Sequence, residues 1–507
     1  MKAIKIITAV VLCLALLAGC AGTSDGSASS DKSGSNASGS KKVRVTLPFS
    51  ASDVLDPFTA KTKQNQELTM LLFDPLIKLD ENYEPVCFLA DKVEQSGLTL
   101  NIRLKSATFT DGTRVSADDV VYSLRQAMAS GSNYADRLSS VAGVGAADAS
   151  TVTVTMKHFD PCFINNLDFP IIKSGTASLK NDNNLPVAPI GCGRYTIEYD
   201  KSYRLKANGS YYGGSIKLKE ISLVDCPDDD SLSHYMTIGT LAAVYSDLSD
   251  SQIPKMAGKT VKTATTNLVY IGANSQRAVI SDSRLRLAVS FAVDRAQLCN
   301  KAYFEYAEPA TSLFPSKWPA INGLTSIDST QNTEQAVAYF NELGYNSTDS
   351  EGYLTNEGGS RLTLKLLYNS DNAARTSAAE QISEQLRKCG VFVNLVGADF
   401  ERYKALLESG QFDLYIGEIR FSNSLDASAL YSGGAVYGVN SEGEAAKAYS
   451  AYAAGEGDIL SAVSGFVSDM PLIPLCYRCG VLVVSNAAAG SISYSISDVY
   501  NGIESLG

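Results

Sequence analysis

Cysteine and histidine are the residues of this chain best suited to redox or metal chemistry, and their spacing favours neither. Among ten cysteines, the closest pair is Cys476-x-x-Cys479. A redox motif of this form needs a helix N-terminus, where the helix dipole lowers the thiol pKa, but the apolar flanks here predict a strand. Zinc would need more ligands than His158 and His234, the two histidines of the chain, supply. We therefore expect structural cysteines, no metal site and no cofactor.

Hydrolytic and nucleotide chemistry also lack their usual motifs. The sequence has no G-x-S-x-G motif, and neither histidine has a recognisable nucleophile partner. The phosphate loop G-x-x-x-x-G-K-S/T is absent, so this chain is not expected to hydrolyse ATP itself. A catalytic pair of carboxylates remains an alternative, because the sequence does not reveal the role of most acidic residues. We expect a binding protein rather than an enzyme.

A polar segment near the end of an apolar strand is the best candidate for a ligand site. The sequence predicts a strand over residues 412–417, and a polar loop over residues 415–426 continues it. In α/β folds, ligands gather at the carboxyl ends of strands. Arg420 in this loop offers the two-pronged donor geometry that suits a carboxylate. The alternative is that Arg420 is a solvated loop arginine.

The N-terminus is typical of an exported lipoprotein. Lys2 and Lys5 precede a short apolar run and then Leu17-Ala18-Gly19-Cys20, which resembles a bacterial lipobox. We expect residues 1–19 to be a signal peptide and Cys20 to carry a lipid. Residues 20–40, rich in Ser and Gly, are expected to form a flexible tether. The alternative is an ordinary signal that ends near a cysteine by coincidence.

Charge and composition restrict the partners of the remaining chain. The formal net charge is −11, and it becomes −13 once the two lysines of the leader are removed. An acidic protein of this kind is not expected to bind nucleic acid. No second segment reaches transmembrane length. A 507-residue chain with 45% hydrophobic residues has enough apolar content for two or three lobes with their own cores.

The elements that position these residues follow from hydrophobic periodicity. Residues 98–104 alternate apolar and polar side chains and predict a half-buried strand. A turn at Asp111-Gly112 and a capping box from Ser116 to Asp119 then predict the start of a helix. Further predicted helices cover residues 66–72, 283–300, 333–343, 373–389 and 400–408. Strands and helices alternate most regularly from 360 to 420, which predicts parallel strands.

Several motifs in fixed order resemble one family. The stretch 98–128 contains F-x-D-G followed by V-S-A-D-D-V. Residues 189–195 resemble P-x-G-T-G-P-Y, with Cys192 and Arg194 in place of threonine and proline. Residues 208–214 resemble N-x-x-Y-x-G-G, and residues 285–295 resemble V-R-x-A-x-x-x-A-x-D-R. Together these motifs resemble the solute-binding proteins of ABC importers, in the family of oligopeptide-, dipeptide- and nickel-binding members.

The resemblance implies an α/β fold of two lobes, the type II periplasmic-binding-protein clamshell, with an extra subdomain inserted in the first lobe. The first lobe would contain residues 41–55, 186–267 and 478–507. The inserted subdomain would cover residues 56–185, and the second lobe residues 268–477. Closing two lobes around a ligand excludes water and engages the ligand from both sides.

The resemblance also implies ligand contacts after the 412–417 strand. Peptide-binding relatives carry a tryptophan there, then an aspartate that pairs with the peptide's α-ammonium, because a buried ammonium needs a counter-charge. In this chain Ile419 stands in the tryptophan position, and Ser422 or Asn423 in the aspartate position. Asp426 follows as a substitute counter-charge. The alternative for Asp426 is an N-cap of a helix that begins near Ala427.

A second implied contact segment is Lys63-Gln64-Asn65, which lies where relatives run an extended segment beside the ligand. The alternative from physics alone is a polar surface loop before a helix.

The function implied is that of a lipid-anchored, extracytoplasmic binding protein that captures a small solute, a short or modified peptide, in the cleft between lobes. The expected partners are the ligand, the ABC permease and ATPase subunits, and the bacterial cell membrane through the lipid anchor. The protein itself is expected to be a monomer. An oligosaccharide or metal-chelate ligand, or a solute-sensing receptor of the same fold, remain as alternatives.

Overall fold

The computed structural model describes residues 44–177, 179–180, 187–248, 256–324, 327–431, 441–488 and 490–506. The expected signal peptide, Cys20 and the tether lie outside the described residues, as do the first residues of the expected first lobe. Within the described ranges, no helix combines the length and hydropathy required to cross a bilayer.

The strands are short and form several separate sheets. They are β1 Thr46–Phe49, β2 Ile77–Leu79, β3 Pro85–Cys87, β4 Ala90–Ser96, β5 Thr99–Leu104, β6 Val141–Asp148, β7 Thr151–Met156, β8 Tyr195–Asp200, β9 Ser202–Ala207, β10 Glu220–Asp225, β11 Ala243–Ser246, β12 Lys259–Thr263, β13 Asn267–Ala273, β14 Ala307–Pro309, β15 Ser347–Thr348, β16 Leu354–Thr355, β17 Thr363–Asn369, β18 Phe392–Ala398, β19 Leu414–Arg420, β20 Leu472–Arg478 and β21 Gly480–Val484.

The α-helices are of moderate length. They are α1 Lys63–Leu72, α2 Ala117–Ala127, α3 Asp229–Thr237, α4 Ala278–Ser281, α5 Ser283–Ala292, α6 Arg295–Lys301, α7 Thr333–Glu342, α8 Ala373–Lys388, α9 Phe400–Glu408, α10 Ser428–Tyr431, α11 Glu444–Ala453 and α12 Ile459–Asp469.

The largest sheet has six strands in the order β14-β20-β13-β19-β17-β18. Strand β17 pairs in parallel with both β18 and β19, and the helices α8 and α9 connect these strands, so the parallel arrangement predicted for residues 360–420 is confirmed. Strand β13 runs antiparallel to its neighbours β19 and β20. The sheet as a whole is therefore mixed.

Three sheets of three or four strands accompany it, together with the two-stranded sheets β2-β3 and β15-β16. One contains β1-β10-β9-β8, one contains β4-β5-β7-β6, and one contains β11-β21-β12. In β5 the buried residues alternate with exposed or half-buried ones, as the period-two pattern of residues 98–104 predicts.

The buried hydrophobic side chains of the described residues form two large cores. One core collects buried side chains from residues 268–477 together with Tyr83. The other, here called the first core because the chain enters it first, collects them from residues 45–243 and 482–506, and it includes the apolar faces of β5 and α2. The chain passes from one core to the other after β12 and again after β20. These cores give the expected lobes a physical basis, while the exact lobe and subdomain boundaries stay a prediction.

Two boundary predictions are corrected by the structure. The helix predicted over 283–300 is two helices, because Asp294 accepts a hydrogen bond from the Gln297 backbone at 2.8 Å and so begins α6. Arg295, fully buried, donates to the Pro474 carbonyl oxygen at 2.7 Å and ties α6 to β20. Strand β19 begins later and ends later than the predicted 412–417, because its pairing with β13 continues to Arg420.

The capping box before α2 is present as predicted. One carboxylate oxygen of Asp119 accepts hydrogen bonds from the Ser116 backbone nitrogen at 2.9 Å and from the Ser116 hydroxyl at 2.6 Å. The other oxygen accepts from the Ser174 backbone nitrogen at 2.9 Å. Asp119 is buried, so it joins the helix start to a distant segment away from water.

We predict that Asp119→Ala lowers the free energy of unfolding by about 1–2 kcal/mol, because it leaves two partly buried backbone donors without an acceptor. Urea unfolding followed by circular dichroism measures the change. Asp118→Ala, an exposed acid in the same helical turn, is the matched control and should change stability by less than about 0.5 kcal/mol. Equal losses in the two variants would contradict the bridging role of Asp119.

Candidate functional site

A cleft of about 800 Å³ lies between the two cores. One wall comes from the first core: helix α1, the 133–140 and 158–168 segments, and the C-terminal residues 496–499. The other wall comes from residues 264–266 and from the end of β19 with its following loop, residues 419–429. The volume suits a small-molecule or short-peptide ligand.

Five of the predicted site residues line this cleft, and two do not. The lining includes Lys63, Arg420, Ser422, Asn423 and Asp426. Because β19 extends to Arg420, that arginine stands at the carboxyl end of a strand of the large sheet, the position at which ligands gather in such folds.

Gln64 and Asn65 are not part of the cleft lining. Asn65 is fully buried, and its amide nitrogen donates to the Ser50 and Val54 carbonyl oxygens at 3.0 and 3.1 Å. Its amide oxygen accepts from the Ser50 backbone nitrogen at 2.8 Å. The structure therefore places Asn65 where it holds the loop before α1, away from the cleft lining.

Helix α1 is held against the cleft by two glycines of the 189–195 motif. A Cβ on Gly191 would lie 2.2 Å from the Leu72 carbonyl oxygen, and one on Gly193 would lie 2.4 Å from the Leu72 carbonyl carbon. The missing side chains let the Gly193 nitrogen donate to Leu72 at 3.1 Å. The motif therefore fixes the C-terminal end of the helix whose N-terminal end carries Lys63.

A basic group forms where α1 meets the end of β19. The Lys63 Nζ lies 3.0 Å from a carboxylate oxygen of Asp247, and an Arg420 guanidinium nitrogen lies 4.0 Å from the same oxygen. The Arg420 side chain is 65% exposed, so its donors face the solvent of the cleft. This arrangement places two cations within reach of an anionic group on a ligand.

An acidic group forms on another part of the lining. Asp160, which sequence reasoning missed, lies near Asp426 although the two residues are far apart in the chain. Burial and, to a smaller extent, the charge of Asp426 raise the pKa of Asp160 to about 6. Hydrogen bonds from the Cys162 amide and Ser424 and the charge of His158 lower it, but by less. An acid after a strand is a weak signal, and nothing in the sequence pairs Asp160 with Asp426.

Asp426 has the geometry of the capping alternative. Its Oδ1 accepts hydrogen bonds from the Ser428 backbone nitrogen at 2.9 Å and from the Tyr449 hydroxyl at 3.0 Å, at the start of α10. The side chain nevertheless remains exposed in the cleft lining. Capping and ligand binding are therefore compatible at this residue.

Asn423 is engaged by the opposite wall of the cleft. Its amide nitrogen donates to Asp168 at 2.6 Å, and its carbonyl oxygen accepts from the Asn165 side chain at 3.1 Å. Asp168 also pairs with Arg137 at 2.6 Å and accepts from the Ser497 hydroxyl at 3.0 Å. Asn423 thus joins the two walls. The hydroxyl oxygen of Ser422, another predicted site residue, lies 2.9 Å from the hydroxyl oxygen of Ser424.

The described residues contain neither a cluster of side chains that could bind a metal ion nor a C-x-x-C pair whose thiols have lowered pKa values. No group of three or more His, Cys, Asp or Glu side chains in the described ranges is placed to hold a metal ion. The eight cysteines of residues 44–506 are free thiols. Cys476 lies in β20, as the strand prediction requires, and burial raises the pKa of both Cys476 and Cys479, the latter to about 12. A raised thiol pKa opposes the thiolate that redox catalysis needs.

Comparison with known proteins gives a consistent result. Residues 82–439 match the model of the bacterial extracellular solute-binding proteins, family 5, middle region. The oligopeptide-binding protein AppA of Bacillus subtilis is 25% identical over 356 residues, which is 64% of this chain and 64% of AppA. The alignment thus spans under two thirds of that relative's length.

Solved structures share the fold over most of their length. A nickel ABC transporter structure from Bacillus halodurans has a TM-score of 0.74 and 19% sequence identity. The superposition covers 90% of this chain and 98% of the Bacillus halodurans chain. The unliganded, open form of the periplasmic murein tripeptide binding protein MppA has a TM-score of 0.73 and 19% identity, covering 92% and 96%. The two-lobe type II α/β fold expected from the sequence is confirmed.

The charge of Asp160 generates a prediction about stability. A carboxyl group whose pKa is raised on folding favours the protonated form, so its penalty is absent at low pH and grows as pH rises towards the folded pKa of about 6. We predict that Asp160→Asn stabilises the unliganded protein by about 1–2 kcal/mol at pH 7.5, and that the gain shrinks as the pH is lowered towards 4.

Urea midpoints at several pH values measure this effect. Asparagine keeps an oxygen for the Cys162 amide, which donates to Asp160 at 2.9 Å, so the substitution removes mainly the charge. Asp136→Asn, an exposed acid of the same cleft, is the control and should show no comparable pH-dependent gain. A loss of stability in Asp160→Asn at pH 7.5 would contradict the electrostatic account.

Proposed function

Because this chain belongs to the bacterial extracellular solute-binding proteins of family 5, we propose that it is the substrate-binding protein of an ABC importer and that it captures a short or modified peptide in the cleft. The observation that carries the peptide assignment is the presence of separate acidic and basic groups in one lining. Family members bind solutes and are not enzymes, so Asp160, Asp426, Lys63 and Arg420 are assigned binding roles rather than catalytic ones.

The acidic group would receive the α-ammonium of the peptide. In the unliganded protein the charge of Asp426 adds to burial in raising the pKa of Asp160, and a bound ammonium would relieve this unfavourable condition. Asp426 supplies the counter-charge expected after β19, and Asp160 supplies a second one from the opposite core. Ammonium binding would therefore favour the approach of the two lobes.

The basic group would receive an anionic end or side chain of the same ligand. Lys63 and Arg420 both approach Asp247, and the exposed guanidinium of Arg420 can accept a carboxylate in two-pronged geometry. Ligands with opposite charges at separate positions, as in peptides, match such a lining better than uncharged sugars do. The name of AppA, an oligopeptide-binding protein, and that of MppA, a murein tripeptide binding protein, support peptides and modified peptides.

A chelated metal is the second candidate ligand. The nickel transporter structure shares the fold, and His158 lies in the cleft lining. With no three-residue metal cluster among the described residues, the metal would have to arrive with its own chelator.

The importer role implies further partners. We propose that Cys20 carries a lipid that holds the protein, as a monomer, at the extracytoplasmic face of the cell membrane. There it would deliver its ligand to permease and ATPase subunits, since the sequence has no phosphate loop of its own. A solute-sensing receptor would use the same cleft without the permease.

A thermal-shift screen tests the ligand class. The panel contains free tripeptides, N-acetylated tripeptides, oligosaccharides and nickel–histidine chelates. We predict stabilisation by free peptides, about 2.7 kcal/mol at one hundred times the dissociation constant. N-acetylated peptides should bind more weakly, and the difference between the two peptide forms should shrink in Asp160→Asn and Asp426→Asn but not in Asp136→Asn. Stabilisation by chelates or oligosaccharides alone would contradict the peptide proposal.

Lipid attachment has its own test. Labelled fatty acid should enter the wild-type chain in its bacterial host and be absent from Cys20→Ala. Cys87→Ala, which removes an exposed cysteine of the folded body, should label like the wild type. Equal labelling of wild type and Cys20→Ala would rule out the anchor while leaving the cleft assignment intact.

A further inference from the structure

Two polar side chains of the cleft lining lack partners in the described structure. Glu67, half-buried on α1, forms no hydrogen bond or ion pair with another described residue, since the nearby Lys63 pairs with Asp247 instead. Asn166 is 2% exposed, and its amide oxygen has no hydrogen-bond partner. Both belong to the first core and neither was identified from the sequence.

Unpartnered polar groups of this kind cost stability in the unliganded protein. Burying a hydrogen-bond acceptor without a donor reduces the free energy of unfolding, and native proteins rarely leave such groups unsatisfied. Asp168, two residues from Asn166 in the same wall, is by contrast engaged by Arg137, Asn423 and Ser497. Glu67 and Asn166 both line the cleft, where a ligand can supply the missing donors.

Tyr134 lies in the same cleft lining as Glu67 and Asn166. The Glu67 and Asp168 carboxylates both add to the effect of burial in raising the pKa of Tyr134. Apolar atoms of Met70 and Val499 belong to the same lining. A ligand arm that is apolar along its stem and rich in donors at its tip fits these surroundings.

We propose that Glu67 and Asn166 form a second cation subsite, which takes the ammonium or guanidinium tip of a ligand side chain. This inference rests on the proposed peptide-binding function and specifies it: the preferred peptides carry a lysine-like or arginine-like side chain in addition to the α-ammonium. The Glu67 carboxylate is the counter-charge, and the Asn166 amide oxygen accepts one of the donors.

The charges that face Glu67 come from several elements. Burial raises the pKa of Glu67 to about 7. Lys63 on the same helix and Arg420 at the end of β19 favour its ionised form, while Asp498 and Asp247 oppose it. The charge of Glu67 also helps to raise the pKa values of three phenols, those of Tyr134, Tyr245 and Tyr500. Since the carboxylate must be ionised to hold a cation, the preference for a cationic side chain should be larger at pH 8 than at pH 6.

Paired peptides test the subsite. The probes are Ala-Lys-Ala and Ala-norleucine-Ala, with the two positional isomers of each, because lysine and norleucine share the alkyl stem and differ in the ammonium. Titration calorimetry with the full-length protein at pH 8 should show at least one lysine peptide binding about tenfold more tightly than its norleucine partner. In Glu67→Gln this ratio should fall towards one while norleucine peptides bind as before, and Asp136→Asn should retain the wild-type ratio.

The outcomes separate the two proposals. If lysine and norleucine peptides bind wild type equally, or if Glu67→Gln keeps the preference, the subsite is refuted and the peptide function stands. If no peptide of either series binds wild type, the proposed function fails and the subsite fails with it.

Asn166→Leu provides an independent readout. Replacing a buried, unpartnered amide by an apolar group of similar shape should leave the melting temperature of the unliganded protein unchanged or raise it. The same variant should lower the preference for lysine peptides. A lowered melting temperature with an unchanged preference would assign Asn166 to structure alone and overturn its place in the subsite.

Discussion

The carboxylate of Asp168 is the contact on which the geometry of the cleft depends. It is buried, and it binds Arg137 from the first core, Ser497 from the C-terminal segment and Asn423 from the loop after β19. A buried carboxylate requires such donors, because leaving it unpaired costs several kcal/mol. Three segments that are distant in the chain are thereby fixed around one atom group, and the two walls of the cleft are held in contact at this end.

Asp498, a buried acid of the first core, shows the opposite electrostatic condition to that of the cleft acids. Asp498 is buried, yet Lys78 and Arg194 lie 3.0 and 2.8 Å from it, and these cations hold its pKa below the usual range although burial alone would raise it. Asp160 and Glu67 lack a comparable cation and have raised pKa values. Asp498 is thus balanced by two cations while Asp160 and Glu67 are not, which is consistent with cleft charge that is available to a ligand.

Stability and function are therefore distributed unequally over the fold. The two hydrophobic cores and their balanced ion pairs hold each side of the molecule together without assistance from the cleft. The cleft residues can carry uncompensated charge because the cores supply the stability that this costs. The glycines 191 and 193 extend the same logic to the backbone, since they let α1 lie close enough to bring Lys63 and Glu67 to the cleft.

The sequence by itself determined the local elements and the family. Period-two alternation specified β5, the Ser116–Asp119 box specified the start of α2, and ordered motifs specified the two-lobe fold, because these signals involve neighbouring residues. Only the tertiary structure decided which side chains meet. The pairing with β13 extended β19 to Arg420, Asn65 became a buried loop support, and Asp160 came to lie beside Asp426. Contacts between residues distant in the chain depend on how strands and cores are arranged in space, and one sequence carries no local pattern for them.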